Sequence, residues 1–405
     1  MYLDFAWRYF RAKKSANAIN IIAWVTTGVI AFATCCQVLV LSVFNGFEDL
    51  VKSLYSSFYA DIKVIPSKGK TFELTAAQLQ QIQQQLFVQS ASLVIEERAL
   101  LQNGEFQSVV VLKGVDGNFS KVTGIAENIT TGNFYTGTID EPRIIIGSGI
   151  QNATGISVNE SFAPDIISVI LPKRTVSIDP LESISQGNVT ASGVFAIQQD
   201  FDNLYALTNI DFVMQQMGYK QNEYTGLEIR LKNNVDINSS KESLAALLGS
   251  SYTVQSKYEQ NTNLYNTMKT EKWAIYAVLT LILIIAAFNM ISALTMLVLE
   301  KKQDIAILQS MGSTRSTIQK IFLSEGILLG IIGAVSGILL AVVICLLQIK
   351  FKLIKLKGGS FLIDYFPVKL ILTDFLLVGL TALLITFIAS WFPAYKAARQ
   401  PLELR

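Results

Sequence analysis

Histidine is missing from all 405 residues, and charged residues are scarce, at 16% of the chain against 51% hydrophobic residues. The lack of histidine excludes histidine general bases, Ser-His-Asp triads and histidine metal ligands. Soluble domains carry about 25% charged residues, so the low charge content predicts an integral membrane protein with a soluble part. A net charge of +2 gives no basis for nucleic-acid binding.

Cysteine is also rare. Cys35, Cys36 and Cys345 all lie in apolar runs, and the polar middle of the chain has none. We therefore expect three small buried hydrophobic side chains and no disulfide framework.

Four apolar runs are each long enough to cross a membrane, which takes about 20 residues. They predict transmembrane helices at 19–44, 273–299, 321–349 and 370–392, the last with Asp374 near its start. The remaining predicted segments are an interfacial cytoplasmic helix (1–18), an extracytoplasmic domain (45–272), a cytoplasmic coupling segment (300–320), a short extracytoplasmic loop (350–369) and a cytoplasmic tail (393–405).

The orientation follows from basic residues in short flanks. Arg8, Arg11, Lys13 and Lys14 precede the first run, which predicts a cytoplasmic N-terminus and, after four spans, a cytoplasmic C-terminus. Five lysines of the loop placed outside count against this orientation: Lys350, Lys352, Lys355, Lys357 and Lys369.

Residues 45–272 contain no run of membrane length. Strand-like stretches such as FQSVVVLKGVD and TGLEIRL alternate with helix-like pieces at 75–86, 201–217 and 240–248. This alternation predicts an α+β domain.

No catalytic constellation is indicated in that domain. The stretch VIPSKGKT resembles the end of a phosphate-binding loop, but Val64 stands where the first glycine belongs. Glu96 and Glu97 are adjacent, so on a helix or strand they cannot converge as an acid–base pair.

The segment 300–320 encodes a short amphipathic helix. Lys301, Lys302, Gln303 and Asp304 precede an aliphatic patch made of Ile305, Ile307, Leu308 and Met311. Gly312 can end the helix in the left-handed conformation, and Ser313 can cap the next helix. An apolar patch on such a helix indicates a partner surface, either a groove on a soluble protein or the lipid interface.

Small residues recur in the third apolar run. Gly333 and Gly337 form a G-x-x-x-G motif, and Gly330 and Ala334 lie beside it. Such spacing predicts close helix packing, either within one chain or across a dimer.

Several motifs together resemble a known family. EKKQDIAILQSMGSTRSTIQKIFLSEG resembles the coupling segment of FtsX/MacB-type (type VII) ABC permeases, and FPAYKAARQPLELR is similar to their C-terminal signature. Within that superfamily the chain resembles lipoprotein-releasing permeases of the LolC/LolE type. Six stretches match in chain order: FAWRYFRAKK, SVFNGFED, LKGVD, IIIGSGI, GVFAIQQDFDNLYA and IIAAFNMISALTMLVLEKKQDIAILQSMG.

The resemblance covers nearly the whole chain and implies both a fold and a function. The implied fold has four transmembrane helices, with a large MacB-like periplasmic core domain of α+β type between the first two. The implied function is that of an inner-membrane permease subunit, which releases lipoproteins to a periplasmic carrier by ATP-driven mechanotransmission. Two alternatives stay open: a MacB-like exporter of another substrate, and an FtsX-like activator of cell-wall hydrolases.

The resemblance also implies partners. The chain would be a transport subunit rather than an enzyme, without a cofactor of its own, because ATP and Mg would be bound by a separate cytoplasmic ABC ATPase. A second permease subunit, either another copy or a paralogue, would complete the membrane part. Lipoproteins would be the cargo, and a periplasmic lipoprotein carrier would receive them.

The resemblance also implies roles for residues in two segments of this chain. The ATPase-docking residues would be Glu300, Lys301, Asp304, Ile305, Ile307, Leu308, Met311 and Gly312. A carrier-binding hook would lie within 172–188, although this segment departs from the family's hook pattern. Its candidate residues are Pro172, Lys173, Arg174 and Pro180.

Overall fold

The computed structural model describes residues 17–158, 165–173, 184–355 and 365–400. Contacts divide the chain into two compact units, a core domain (Val51–Tyr265) and a membrane unit formed by the residues on either side of it. Most of the predicted interfacial helix (1–18) falls outside the described residues.

The elements are named in chain order. The helices are α1 (Asn17–Phe58), α2 (Ala76–Gln83), α3 (Phe119–Val122), α4 (Ser148–Thr154), α5 (Gln199–Asp202), α6 (Ile210–Met217), α7 (Ile237–Leu248), α8 (Lys257–Gln260), α9 (Thr262–Glu300), α10 (Lys302–Ser310), α11 (Arg315–Phe351) and α12 (Leu372–Ala398). The strands are β1 (Ile62–Pro66), β2 (Phe72–Glu73), β3 (Val88–Asn103), β4 (Phe106–Val115), β5 (Ile129–Gly132), β6 (Arg143–Gly147), β7 (Ile166–Pro172), β8 (Ile184–Phe195), β9 (Tyr205–Asn209), β10 (Glu223–Tyr224), β11 (Gly226–Leu231) and β12 (Tyr252–Ser256).

Four helices of the described chain, α1, α9, α11 and α12, are long and apolar enough to cross a membrane. This confirms the predicted four spans. At 1.5 Å per residue, α1 and α9 are about 63 and 58 Å long. A hydrocarbon core is about 30 Å thick, so both helices must extend beyond it.

The membrane unit has its own buried core. Met290 and Leu294 of α9 pack with Ile318 and Phe322 of α11 and with Ile30 of α1. Thr26 and Thr27 donate to carbonyls of their own helix, and other polar side chains bond across the bundle. One such bond runs from Gln37 Nε2 to Thr280 Oγ1 over 3.2 Å.

Six strands of the core domain close into a ring. The pairing runs β3–β4–β9–β6–β8–β7, and β7 pairs back onto β3. The pairs β4–β9 and β6–β8 are parallel and the others antiparallel. Buried side chains such as Ile95, Leu112, Ile144 and Val169 form the main core on these strands.

The long strand β3 also supports an antiparallel extension. Its first half pairs with β11, which continues through β1 to β12, while its second half pairs with β4. The buried residues Ile82 of α2 and Leu244 of α7 pack on this extension. Strands and helices therefore alternate as expected, and the predicted α+β domain is confirmed.

One helix-like piece is predicted wrongly in part. Within 201–217, residues Tyr205–Asn209 form β9, and the long helix of this stretch begins only at Ile210. The strand forms because β9 is bonded on both sides, to β4 and to β6, and three of its five residues are buried.

Candidate functional site

Helix α10 is a separate nine-residue helix in the segment predicted to couple to an ATPase. It ends in a Schellman arrangement: the Gly312 N–H donates to the Gln309 carbonyl and the Ser313 N–H to the Leu308 carbonyl, each over 3.0 Å. Gly312 has a φ of +91°, a conformation that side-chain-bearing residues rarely adopt.

The next helix begins one residue later than expected. The side chain that caps α11 is Thr314, whose Oγ1 accepts a hydrogen bond from the Thr317 N–H over 3.3 Å, so the prediction for Ser313 is wrong. Thr314 has the extended backbone (φ −74°, ψ 155°) that an N-cap residue adopts, whereas the Ser313 amide still belongs to the end of α10.

The aliphatic residues of α10 lie on two opposite faces. Ile305 is 2% exposed and packs in the same cluster as Leu297 and Ile318, whereas Ile307 and Met311 are 58% and 78% exposed. Ile307 follows Ile305 by two residues, which turns its side chain by about 200° around the helix axis. Met311 follows Ile307 by four residues and therefore lies on the same face as Ile307. Leu308 is half-buried between these faces.

Charged residues surround the start of α10. Glu300 is exposed, and the Lys301 ammonium lies 3.2 Å from the Asp304 carboxylate, with both side chains partly exposed. An exposed pair contributes only about 0–1 kcal/mol. The burial of Ile305 is therefore the stronger attachment of α10 to the bundle.

The small residues of α11 contact helices of the same chain. A Cβ at Gly333 would lie 2.9 Å from the Ile30 Cβ, and one at Gly337 would collide with the Ala31 carbonyl oxygen, both on α1. A Cβ at Gly330 would collide with the Thr386 hydroxyl on α12. Ala334 is buried beside Ala33 and Leu283. These contacts let the helix backbones approach closely.

Two of the four predicted hook residues lie at a cavity of about 400 Å³ in the core domain, while Arg174 and Pro180 lie outside the described residues. Pro172 and Lys173 line this cavity together with Glu97 and Tyr219. The Tyr219 hydroxyl donates to Glu97 Oε1 over 2.8 Å.

A buried group of four charges in the core domain was not predicted. The Lys113 Nζ lies 2.6 Å from Glu228 Oε1 and 3.0 Å from Glu96 Oε1, and the Lys63 Nζ lies 2.8 Å from Glu96 Oε2. Lys113 and Glu228 are each 1% exposed. We call Lys63, Glu96, Lys113 and Glu228 the ion quartet. The Phe119 ring centroid lies 4.9 Å from the Lys113 ammonium.

The contacts within the quartet shift the pKa of Glu96 and of Lys113. Burial alone would raise the pKa of Glu96, but the charges of Lys63 and Lys113 outweigh it and lower this pKa to about 2. Burial opposes the charge of Lys113 too, yet Glu228 and Glu96 raise its pKa above the ordinary value. Both shifts favour the charged forms of Glu96 and Lys113 near neutral pH.

We predict a pH dependence from the lowered pKa of Glu96. Its stabilising contribution is fully present above the pKa of the unfolded chain, near 4.5, and is lost as the pH falls towards 2. Thermal unfolding of the full chain should therefore shift to lower temperature over this interval. The Glu96→Gln variant should lose less stability across the same interval, and equal slopes for the two proteins would contradict the assignment.

A second cluster of polar side chains joins three helices of the membrane unit by hydrogen bonds. The sequence pattern does not clearly indicate this cluster. The Lys272 Nζ lies 2.8 Å from Asn45 Oδ1 and 3.1 Å from Asp374 Oδ2, and the Asn45 amide donates to Asp374 Oδ2 over 2.6 Å. These residues lie on α9, α1 and α12. Only Asp374, as a charge within an apolar run, could have indicated them.

Comparisons with known proteins give consistent matches over nearly the whole chain. The family model described as MacB-like periplasmic core domain matches residues 23–247, and FtsX-like permease C-terminal matches residues 276–402. The lipoprotein-releasing system transmembrane protein LolC of Xylella fastidiosa is 27% identical over 408 residues, covering 98% of this chain and 96% of that protein. Its counterpart LolE of Haemophilus influenzae is 24% identical over 419 residues, covering 98% and 97%.

A solved structure, the periplasmic region of MacB from Actinobacillus actinomycetemcomitans, covers 54% of this chain and 98% of its own, with 12% identity and a TM-score of 0.37. The MacB-like family model spans more than half of the chain, and the FtsX-like model follows it over three of the four membrane helices. The chain therefore belongs to the MacB-like periplasmic core domain family and carries an FtsX-like permease C-terminal region.

Proposed function

We propose that this chain is the permease subunit of an ATP-driven transporter that releases lipoproteins from the inner membrane. The observation that carries the proposal is its similarity, over 98% of its length, to LolC and LolE proteins described as lipoprotein-releasing. The cost of extracting lipid chains supports a requirement for energy, since each buried CH₂ contributes about 0.8 kcal/mol to membrane binding.

In this proposal the energy comes from a separate cytoplasmic ABC ATPase that binds ATP and Mg and docks on α10. The exposed Ile307 and Met311 form the apolar part of the docking face, with Leu308 at its border. The charges of Glu300, Lys301 and Asp304 surround it, and Gly312 ends the helix. Ile305 acts from the opposite side by anchoring α10 to the bundle, so that a push on α10 is passed to α9 and α11.

Replacing Ile307 and Met311 together by aspartate should release the ATPase while the permease stays folded in the membrane. Burying each of these side chains in an interface is worth about 1.5–3 kcal/mol. The loss should therefore weaken docking by well over tenfold, since about 1.4 kcal/mol corresponds to a factor of ten. Co-purification of the ATPase with the tagged permease measures the effect.

Two further variants make this test specific. Ser316→Asp adds a charge at an exposed position of the following helix and should leave co-purification intact. Ile305→Asp places a charge in the bundle core and should lower the thermal stability of the permease itself. The docking face is misplaced if the Ile307/Met311 double variant retains the ATPase as well as Ser316→Asp does.

The remaining assignments follow the same proposal. Both termini and α10 lie in the cytoplasm, and the core domain lies outside, where it meets a periplasmic carrier. Pro172 and Lys173 are the first two residues of the carrier-binding segment (172–188). A second permease subunit, either another copy or a paralogue, completes the path for the cargo.

Depletion of the protein followed by membrane fractionation tests the function. Outer-membrane lipoproteins should accumulate in the inner membrane and the carrier should remain empty. Re-expression of the Ser316→Asp variant should restore sorting, whereas the Ile307/Met311 double variant should not. Normal lipoprotein sorting after depletion would refute lipoprotein release, although the ATPase-docking assignment on α10 could still stand on its co-purification result.

A further inference from the structure

One stripe of α9 carries two lysines followed by two aromatic residues. Lys269, Lys272, Trp273 and Tyr276 have the spacing i, i+3, i+4 and i+7, which places them on one face of the helix. The Trp273 and Tyr276 rings contact edge to face, with centroids 5.8 Å apart. Cationic groups thus lie at one end of the stripe and aromatic surface at the other.

This stripe forms one wall of a cavity of about 300 Å³ in the membrane unit. Leu377 of α12 and Leu41 of α1 line the other walls. The Tyr276 hydroxyl and the Thr381 hydroxyl share a hydrogen bond that joins α9 to α12 at the aromatic end. The cavity is therefore apolar along its walls and cationic at one end.

The charges around the cavity leave a positive excess. Lys272 is held by Asn45 and Asp374, so it neutralises that carboxylate, the only acidic side chain lining the cavity among the described residues. Lys269 is exposed and forms no ion pair with any residue that the structure describes. Its three donors are available to an anionic group at the cavity mouth.

The cavity lies at the border of the apolar segments. The charge-free run of α9 begins at Trp273, directly after Lys272, and that of α12 begins after Asp374. Tryptophan, tyrosine and lysine at such a border occupy the headgroup level of a bilayer. The cationic end is thus at the level of lipid phosphates, and the apolar walls are at the level of the upper acyl chains.

We propose that this cavity binds an anionic glycerophospholipid of the surrounding membrane. Lys269 donates to the lipid phosphate, while Lys272 remains on Asp374 and keeps that carboxylate from repelling it. One acyl chain lies against Trp273, Tyr276 and Leu377. A soluble anion would leave these walls exposed, which is why a membrane lipid is the occupant that fits both ends.

Quenching of Trp273 by brominated lipids tests the proposal. The chain has four tryptophans, so replacing Trp7, Trp24 and Trp391 by phenylalanine leaves Trp273 as the only reporter. This full-length protein is reconstituted in phosphatidylcholine vesicles containing increasing fractions of brominated phosphatidylglycerol or brominated phosphatidylcholine. Half-maximal quenching should need about fivefold less of the anionic lipid, the preference that one basic residue at a membrane surface produces.

Variants of the reporter protein assign the preference to the cavity. Lys269→Gln should make the two quenching curves coincide, and because Lys269 is exposed the fold should tolerate it. Lys350→Gln changes an exposed lysine at the end of another membrane helix and should keep the preference. Coincident curves in the reporter protein, a preserved preference in Lys269→Gln, or equal loss in Lys350→Gln would each overturn the proposal.

Two competing ligands distinguish binding of a membrane phospholipid from binding of a soluble anion or of a lipoprotein. Neither dissolved glycerol phosphate nor a diacylglyceryl lipopeptide with an uncharged peptide should restore Trp273 fluorescence in vesicles containing the brominated anionic lipid. Restoration by glycerol phosphate would make the site an anion site, and restoration by the lipopeptide would make it a cargo site. Either result would overturn the assignment to a membrane phospholipid, and neither depends on the proposed transport function.

Discussion

Replacing Lys113 by methionine should destabilise the core domain by about 3–5 kcal/mol, the usual cost of removing one partner from a buried ion pair. The loss is large because Glu228, itself 1% exposed, would be left with Lys63, 3.8 Å away, as its remaining cationic neighbour among the described residues. All four tryptophans of the chain lie outside the core domain. Hydrogen exchange of the β4 amides in the full-length protein is therefore the suitable measurement.

A double-mutant cycle gives the interaction itself. Lys113→Met combined with Glu228→Gln leaves Lys63 and Glu96 as a balanced pair, so the double variant should lose clearly less stability than the two single losses added together. Lys241→Met is the matched control, because Lys241 pairs with Glu259 over 2.6 Å at the surface and should cost less than about 1 kcal/mol. An effect of Lys113→Met no larger than that of Lys241→Met would show that the quartet does not stabilise the domain.

Valine at Gly333 or Gly337 should push α11 away from α1 and destabilise the membrane unit by about 1–3 kcal/mol. The new side chain at Gly337 would meet the Ala31 carbonyl oxygen, a backbone atom that cannot rotate aside. Cys35 and Cys345 are buried in the same two helices. Cys36 is only half-buried, contrary to the expected burial of all three cysteines, and is therefore replaced by serine in every protein compared. The reaction of Cys35 and Cys345 with a thiol-specific dye during heating then reports on the opening of this contact, and should occur several degrees lower in the variants.

Gly28 provides the matched control for this prediction. It lies on α1, but a Cβ added there would have nothing within 4 Å, so Gly28→Val adds the same volume to a membrane helix without a collision. Its unfolding temperature should stay close to that of the unsubstituted protein. If Gly28→Val and Gly337→Val lower the temperature equally, helix propensity rather than close packing is responsible.

The membrane helices and the end of α10 could be predicted because their signals are local. An apolar run of sufficient length is visible in one stretch of sequence, and so is a glycine after a short amphipathic helix. The side of α10 that is buried could not be predicted, because Ile305 and Ile307 have similar chemistry. Their difference arises from packing against α9 and α11, which the pattern within α10 does not contain.

The ion quartet could not be predicted either, because its contacts also depend on residues far apart in the sequence. Lys113 is a single charge in the otherwise apolar stretch VVVLKGV, and such a charge usually indicates a solvent-facing position rather than a buried one. Lys113 and Glu228 are 115 positions apart, and only the pairing of β3 with both β4 and β11 brings them together.

The tie between Asn45 and Asp374 has a consequence for how the protein is made. The two residues are 329 positions apart, and a ribosome adds about 5–20 residues per second, so roughly 15 to 65 seconds separate their synthesis. During that time α1 is already made, but its polar end lacks the partner it has in the finished bundle. A chain cut short before α12 would keep Asn45 and Lys272 without their carboxylate, so the polar tie among these three helices is completed only after the last membrane helix has been made.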